Sequence, residues 1–480
     1  MKRSDFVAAA CATAVAPLIG AVPVRRFRVA VYELGSSLDP YRDPALDVDH
    51  YAWIFGDGLT TGEKVPRPSL ADIPQSRDGG RTWRYDLRAT RWHDGRPVQA
   101  ADVAYAFRTL HDMASPWLTY EPYSLVDEVV VRGSDVFDVR LHRASASFVR
   151  TFFSPYGRPA LPLLRHDGDG SPIGTGPFRL LRRFQDRYAF EAYDGSPRGA
   201  AASAALEVRL VPSRTTLGLE LAAGEVDLVL PIVRGLPGSE RYRLVSRHNG
   251  TIIVLFNCTG AFRTPALRYA ALRTFDVDEL QRTVDPGFES RVGGVLPPGD
   301  PNDVEFPFPR RDVARAREEL RPIREPVTIV HLAENRRYAT LALLIAQMLN
   351  SAGVATEIVP RPLAMYQSTI GPLRSGRFDL AVSGLPYDGG PDLAADWGCA
   401  SAPPHGGNFA RWCDPAFDRA AAASDLRGAL ALLVRGAPFF PLARNEESFG
   451  VAPATVGFDV PPPFVPPTLS AQRWTLRHGT

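Results

Sequence analysis

Trp83, Tyr85 and Leu87 alternate with Arg84, Asp86 and Arg88, the period of a strand with one buried face. Turn chemistry follows at His93-Asp94-Gly95. Beyond Pro97 the apolar positions Val103, Phe107 and Leu110 shift to helical spacing, with Asp102 near the positive end of the helix dipole. Residues 83–110 therefore predict strand, turn, extended segment and helix. Elsewhere the two periods keep exchanging. A strand at 28–32 leads to a helical stretch near His50 to Phe55, and short strands are predicted at 128–132 and 136–141. Farther along come a strand at 206–210, a helix at 215–223, and then Gly224-Glu225-Val226-Asp227 opening another strand. The same order of helix, glycine, aspartate and strand returns at 373–382. In both places the glycine ends the helix and an apolar strand follows. A strand at 327–332, a helix at 337–350 and a strand at 356–359 form a further unit. The apolar run 250–257 predicts a crossing between lobes, and the Pro-rich chain from Phe439 onward returns to the first lobe. Alternating strands and helices make this a mixed α/β protein.

At 480 residues the chain exceeds one compact core and predicts two or three domains. Its 45% hydrophobic and 22% charged residues are ordinary for a soluble globular protein, and a net charge of +2 without a basic block gives no reason for a nucleic-acid partner. Only two residues are lysine, Lys2 and Lys64, so arginine supplies 53 of the 55 basic positions. Neither lysine follows a glycine, which excludes a phosphate-cradling Gly-Lys-Ser/Thr loop. Met1 to Asp5 is basic at its start, 6–22 is mostly apolar, and Gly20-Ala21 is small, so 1–21 reads as an export signal cleaved after Ala21. Ser4 stands where a twin-arginine signal carries its second arginine, and Cys11 opens a lipoprotein alternative. In an oxidising compartment Cys399 and Cys413, bracketing a Pro- and Gly-rich loop, are the natural disulfide partners, leaving Cys258 as a buried single thiol. Three unpaired core thiols are the alternative.

The wording of 83–107, with Leu38-Asp39-Pro40, Gly58-Leu59-Thr60 and the turn Gly174-Thr175-Gly176-Pro177, resembles the family 5 bacterial solute-binding proteins. The resemblance spans roughly 28–450. It implies the two-lobed periplasmic-binding-protein fold (type II, cluster C-like) with an extra subdomain in the first lobe. The lobe I core would be 28–55, 173–250 and 435–480, with the subdomain at 56–172 and lobe II at 251–434. It also implies a monomeric, non-enzymatic, cofactor-free receptor, periplasmic or at the cell surface, that delivers a short peptide or similar solute to the permease subunits of an ABC importer. Two departures stand out. Gln99 and Ala101 replace the usual threonine cap and following acid, predicting a weaker helix start by ~1 kcal/mol. Between Asp418 and Pro438, where relatives have two helices, there is room for little more than one.

The acidic stretch Ser383-Gly384-Leu385-Pro386-Tyr387-Asp388 follows a predicted strand, where α/β lobes place binding loops. Peptide-binding relatives carry Trp-x-x-Asp there, the aspartate taking the ligand's α-ammonium. Asp388 matches that aspartate and Leu385 occupies the tryptophan position, with Gly384 and Tyr387 beside them; Asp392 and Asp396 are alternative carboxylates. Relatives use an arginine from the region of Arg336 and Arg337 for a free carboxylate, a group that suits the guanidinium fork. Trp397 either stacks on the ligand or packs internally. The stretch 397–413 also resembles the disulfide-closed loop of dipeptide-binding members. The alternative ligands on this scaffold are a metal chelate, haem, an opine or an oligosaccharide. His93, His166 and His405 are isolated, and neither a His-Glu-x-x-His motif nor a Gly-x-Ser-x-Gly elbow is present, which lowers the standing of metal and hydrolase readings.

Overall fold

The computed structural model describes residues 26–477 apart from 33, 35–36, 43–45, 63–64, 114, 120–121, 158–159, 169, 233–238, 285–292, 295, 297–299, 334, 367–369, 386–392, 405 and 463–464. Ten strands form one sheet: β1 Arg26–Val31, β2 Phe178–Arg183, β3 Arg187–Ala192, β4 Ala205–Leu210, β5 Leu228–Ile232, β6 Arg243–Phe256, β7 Val327–Leu332, β8 Thr356–Arg361, β9 Leu380–Leu385 and β10 Phe439–Val451. Their order is β8-β7-β9-β6-β10-β5-β1-β4-β3-β2. β1 is parallel to β4 and β5, and β7 is parallel to β8 and β9. The long strands β6 and β10, antiparallel to each other, run through both lobes and join them.

Alternation decides which side each residue serves. In β6, Ile252, Val254 and Phe256 enter a core with helix Arg336–Ser351, through Leu341, Ile345 and Leu349. Ile253 and Leu255 enter a second core on the opposite face, with Trp397, Trp412 and Leu430. The second lobe is thus a sheet covered on both faces. In the first lobe Val29 and Val31 point into one cluster, while Ala30 faces helix Arg214–Ala223 through Leu217 and Leu221. That helix starts on Ser213, whose hydroxyl accepts from Thr216 N–H, and ends at Gly224 with φ +70°.

A three-stranded sheet is inserted after β1, with Val136–Leu141 between Thr82–Asp86 and Val126–Val131. Its Tyr85 and Phe137 stack at 4.9 Å and share one core with Phe27, Val29 and Trp474 of the first lobe. Helix Ala100–Asp112 presents Val103, Phe107 and Leu110 inward, at the spacing read from the sequence. Its start is not left uncapped. The Asp102 carboxylate accepts from Gln99 N–H at 2.8 Å and from the buried indole of Trp92 at 3.0 Å, one half of a capping box. Asp102 thereby does part of the work that the missing threonine does in relatives.

The Gly174-Thr175-Gly176 turn is held from several sides. Thr175 donates to Asp57 at 3.0 Å, His93 bonds the Gly176 carbonyl, and His93 N–H reaches the Gly174 carbonyl. A Cβ on Gly174 would lie 1.8 Å from the Phe55 carbonyl, so only glycine fits this close approach. Arg198 joins the same knot. It donates to Asp57 at 2.6 Å, to the carbonyls of Trp53 and Gly56 at the end of helix Leu46–Phe55, and to Leu469.

The expectation of little more than one helix between Asp418 and Pro438 is corrected, the first helix beginning ahead of that stretch. Helices Pro415–Ala422 and Leu426–Gly436 both fit. Ser424 takes a left-handed φ of +58°, and the Asp425 side chain caps the second helix at Gly428 N–H, so the reversal needs only three residues.

Candidate functional site

Because β7 and β9 are parallel, their carboxyl ends lie on the same edge of the second lobe. β7 stops at Leu332, and the Asn335 side chain accepts from the backbone N–H groups of Arg337 and Tyr338 at 3.1 and 3.2 Å, starting the 16-residue helix Arg336–Ser351. β9 runs farther. Its pairing with β7 ends at His331 opposite Val382, whereas its pairing with β6 continues to Leu385 opposite Thr251. Ser383, Gly384 and Leu385 therefore extend past β7 beside the start of the helix. A Cβ on Gly384 would sit 3.2 Å from the Tyr338 hydroxyl, so the glycine makes room for that phenol, which burial pushes up to about 12. Arg336 is exposed at this helix start and Arg337 is half-buried.

The strands that join the lobes pass next to this edge. Register shifts occur between His248 and Thr251 and again between Ile252 and Ile253, one extra residue first on β6 and then on β10. Gly250, in the first bulge, has φ +118°. Beyond it Arg444, Thr251 and Leu385 fall opposite one another on three adjacent strands. On the first-lobe side, the buried Arg247 fastens β6. Its guanidinium donates to Glu447 at 2.7 Å and to the carbonyls of Pro462 and Val465 at 2.6 and 2.7 Å. His50 is held neutral to about 3, chiefly by burial and secondarily by the charge of Arg247.

Of the residues singled out in the sequence, the structure brings Gly384, Leu385, Arg336 and Arg337 to this edge. Asp388 and Tyr387 lie outside the described residues, as do Asp392 and His405. Asp396 is exposed. Trp397 is 5% exposed, its ring 5.1 Å from Phe439, so the indole belongs to the core of the second lobe and not to an open stacking surface. Cys399 and Cys413 are bonded, with Cα atoms 4.5 Å apart. Inside their loop the fully buried Asn408 amide donates to the carbonyls of Trp397, Gly398 and Trp412. Cys258 is a half-buried free thiol that burial raises to about 11. Sequence reasoning missed Thr251, Arg444 and Tyr338, because a strand's partners are invisible without its register. Asn335 could have been found: an asparagine directly before a helical run is a cap signal.

At this edge, strand backbone that β7 does not pair among the described residues lies beside a helix start and two guanidinium groups. No group of three or more metal-ligating side chains occurs among the described residues, and none of their helices is long and apolar enough to cross a membrane. The peptide transport periplasmic protein SapA of Salmonella typhimurium is 27% identical over 424 residues, covering 78% of this chain and 74% of SapA. A probable di/tripeptide-binding protein 5 of Pseudomonas aeruginosa is 26% identical, covering 75% and 76%. In three dimensions the chain resembles AgaA of A. tumefaciens R10, solved with agropinic acid, at a TM-score of 0.75 and 16% identity over 95% of this chain and 99% of AgaA. It also resembles DppA of Helicobacter pylori, solved with the peptide STSA, at 0.72 and 18% over 94% and 98%. Such neighbours establish the two-lobed periplasmic-binding-protein fold. The family model described as bacterial extracellular solute-binding proteins, family 5 Middle, matches residues 65–401, well over half of the sequence, and the chain belongs to that family.

Proposed function

We propose that this protein captures a short peptide of two to five residues between its lobes and hands it to the permease subunits of an ABC importer, unchanged chemically. The observation that carries the reading is the extension Ser383–Leu385, which leaves strand backbone beside a helix start where the joining strands pass. An extended peptide satisfies such an edge by main-chain hydrogen bonds, which give affinity with little side-chain discrimination. The names of the relatives, one in peptide transport and one di/tripeptide-binding, support the same choice. Asp388 is the proposed partner of the peptide's ammonium, a charge-assisted contact, and Arg336 or Arg337 a partner for its carboxylate. The protein acts as an exported monomer, with 1–21 removed or Cys11 lipidated. The lobe I core is taken as 28–55, 173–250 and 435–480, the subdomain as 56–172 and lobe II as 251–434.

Closure about β6 and β10 gives the importer a loaded form to recognise. A ligand touching both lobes stabilises only the closed state, so its differential affinity sets the shift in population. Calorimetry with di- to pentapeptides tests the reading. Asp388→Ala is expected to weaken binding at least ~30-fold, about 2 kcal/mol. Unchanged affinity removes that aspartate from the site, and release of cleaved product would replace the receptor by a hydrolase. Leu385, standing where peptide-binding relatives have tryptophan, favours a second reading, a non-peptide solute such as an opine or metal chelate on the same scaffold. Native mass spectrometry of protein purified without refolding distinguishes the two by the mass it retains.

A further inference from the structure

Both lobes aim the ends of their parallel strands at the junction between them. β9 is antiparallel to β6 and ends with Leu385 opposite Thr251, near the middle of that long strand. β5 is antiparallel to β10, and its last residue, Ile232, falls opposite Ser448, toward the middle of β10. β1 is parallel to β5, so it also points at the cleft, from the first-lobe side. Tyr32 is the first residue past its end.

Alternation fixes the face on which Tyr32 stands. It shares parity with Ala30, on the side of the sheet opposite Val29 and Val31. The Arg214 guanidinium, at the start of the helix covering that side, lies 5.5 Å from its ring centre. Phe449 of β10 belongs with Val29 and Val31, and no extra residue interrupts β10 between Phe449 and Arg444, so Arg444 and its partner Thr251 stand on the Tyr32 side. Leu385, opposite Thr251, is there too. Tyr32 and the half-buried Leu385 therefore flank the cleft on one face of the sheet, one from each lobe. The second lobe shows what is unusual about Tyr32. Asp379 N–H bonds the Thr328 carbonyl as Asp227 N–H bonds that of Arg28, which makes Leu332 the counterpart of Tyr32. Leu332 packs against the core around Trp397, whereas Tyr32 keeps 36% of its surface exposed. A ring steadied by a cation and otherwise open is a ready contact for an apolar group.

We propose that Tyr32 is the first lobe's contact for the solute, its ring taking an aromatic or large apolar side chain of the bound peptide as the lobes close. The inference rests on the peptide reading above and adds the selectivity which that reading lacks. A peptide extended along β9 turns alternate side chains to the two faces of the sheet, so one set lies on the face that carries Tyr32. Closure then removes that side chain and the ring from water together.

The test is calorimetry with trialanine and with the three tripeptides in which phenylalanine replaces one alanine in turn, on wild type, Tyr32→Phe and Tyr32→Ala. Wild type is expected to bind at least one phenylalanine peptide ~10-fold more tightly than trialanine. Tyr32→Phe should keep that ratio, because the ring remains, and Tyr32→Ala should reduce it below ~3-fold. The ratio is the readout, since a merely structural role for Tyr32 would weaken all four peptides alike and leave it unchanged. A wild type that binds the four equally, or a Tyr32→Ala that keeps the ratio, overturns the proposal while leaving peptide binding intact. Failure of wild type to bind any of the four overturns the peptide reading and this one with it.

Discussion

The two lobes repeat one plan about the joining strands. Outward from β6 run β9, β7 and β8; outward from β10 run β5, β1 and β4, with matching parallel and antiparallel pairings. The match reaches individual bonds. Asp227 N–H donates to the Arg28 carbonyl, and its carboxylate accepts Arg28 N–H at 2.7 Å. Asp379 N–H donates to the Thr328 carbonyl, and its carboxylate accepts Thr328 N–H at 3.0 Å. Each aspartate follows a glycine in left-handed conformation, Gly224 at +70° and Gly376 at +74°. What differs is the load. Asp227 also holds the Arg28 guanidinium through two bonds, whereas Asp379 bonds only backbone, adding Ala261 N–H at 3.3 Å. The connection after the first strand differs as well. In the second lobe it is a short turn into helix Arg336–Ser351, whereas in the first it is the long insertion carrying the extra sheet. A short turn puts a helix start at the strand ends, and this is why the second lobe supplies most of the candidate site.

The largest expected contrast is at the paired aspartates. Asp227→Ala leaves a backbone N–H without its acceptor and the Arg28 guanidinium with only the Gly224 carbonyl, and should cost about 3 kcal/mol. Asp379→Ala leaves only backbone donors and should cost about 2 kcal/mol. Urea unfolding that ranks them the other way would break the equivalence. The disulfide sharpens the comparison from the other side. Replacing Cys399 and Cys413 by serine opens a loop of sequence separation 14 and should remove ~3 kcal/mol from the second lobe. Scanning calorimetry should then show that lobe melting first.

The helix-ending glycines give a smaller contrast. Gly224→Ala meets no neighbour within 4 Å and should cost only the ~1 kcal/mol of a left-handed L-residue. Gly376→Ala also meets the Arg411 guanidinium at 3.0–3.2 Å, which is tied to the carbonyls of Leu373, Arg374 and Phe409. Its cost should reach about 2 kcal/mol; equal denaturation midpoints would contradict this.

The last effect, a slope with pH, arises in the first lobe and at neutral pH vanishes. His50 is held down to about 3, so below about pH 6.5 the unfolded chain binds a proton that the folded chain refuses. Stability should fall as pH drops from 6.5 toward 3, by up to about 1.4 kcal/mol per pH unit. His50→Gln should flatten that slope in a series of urea titrations.

Much of this was legible from local pattern. The strand at 327–332 has the bounds read from the sequence, and the helix Arg336–Ser351 differs by one residue at each end. The repeated glycine and aspartate signal was visible too, since a left-handed helix end selects glycine. The strap from Cys399 to Cys413 followed from two cysteines around a tight loop. The second helix between Asp418 and Pro438 was lost, because a reversal at Ser424 with φ +58° carries no glycine to announce it.

The sequence by itself determined most of the strands and helices. These follow from interactions between residues near in the chain and from periods of 2 and 3.6. Only tertiary structure decided that Arg198 would bind Asp57, that Trp397 would sink into the core beside Phe439, and that Arg444, Thr251 and Leu385 would stand in one row. Strand register is set by packing across the sheet, and a shift of one residue would turn Arg444 to the other face.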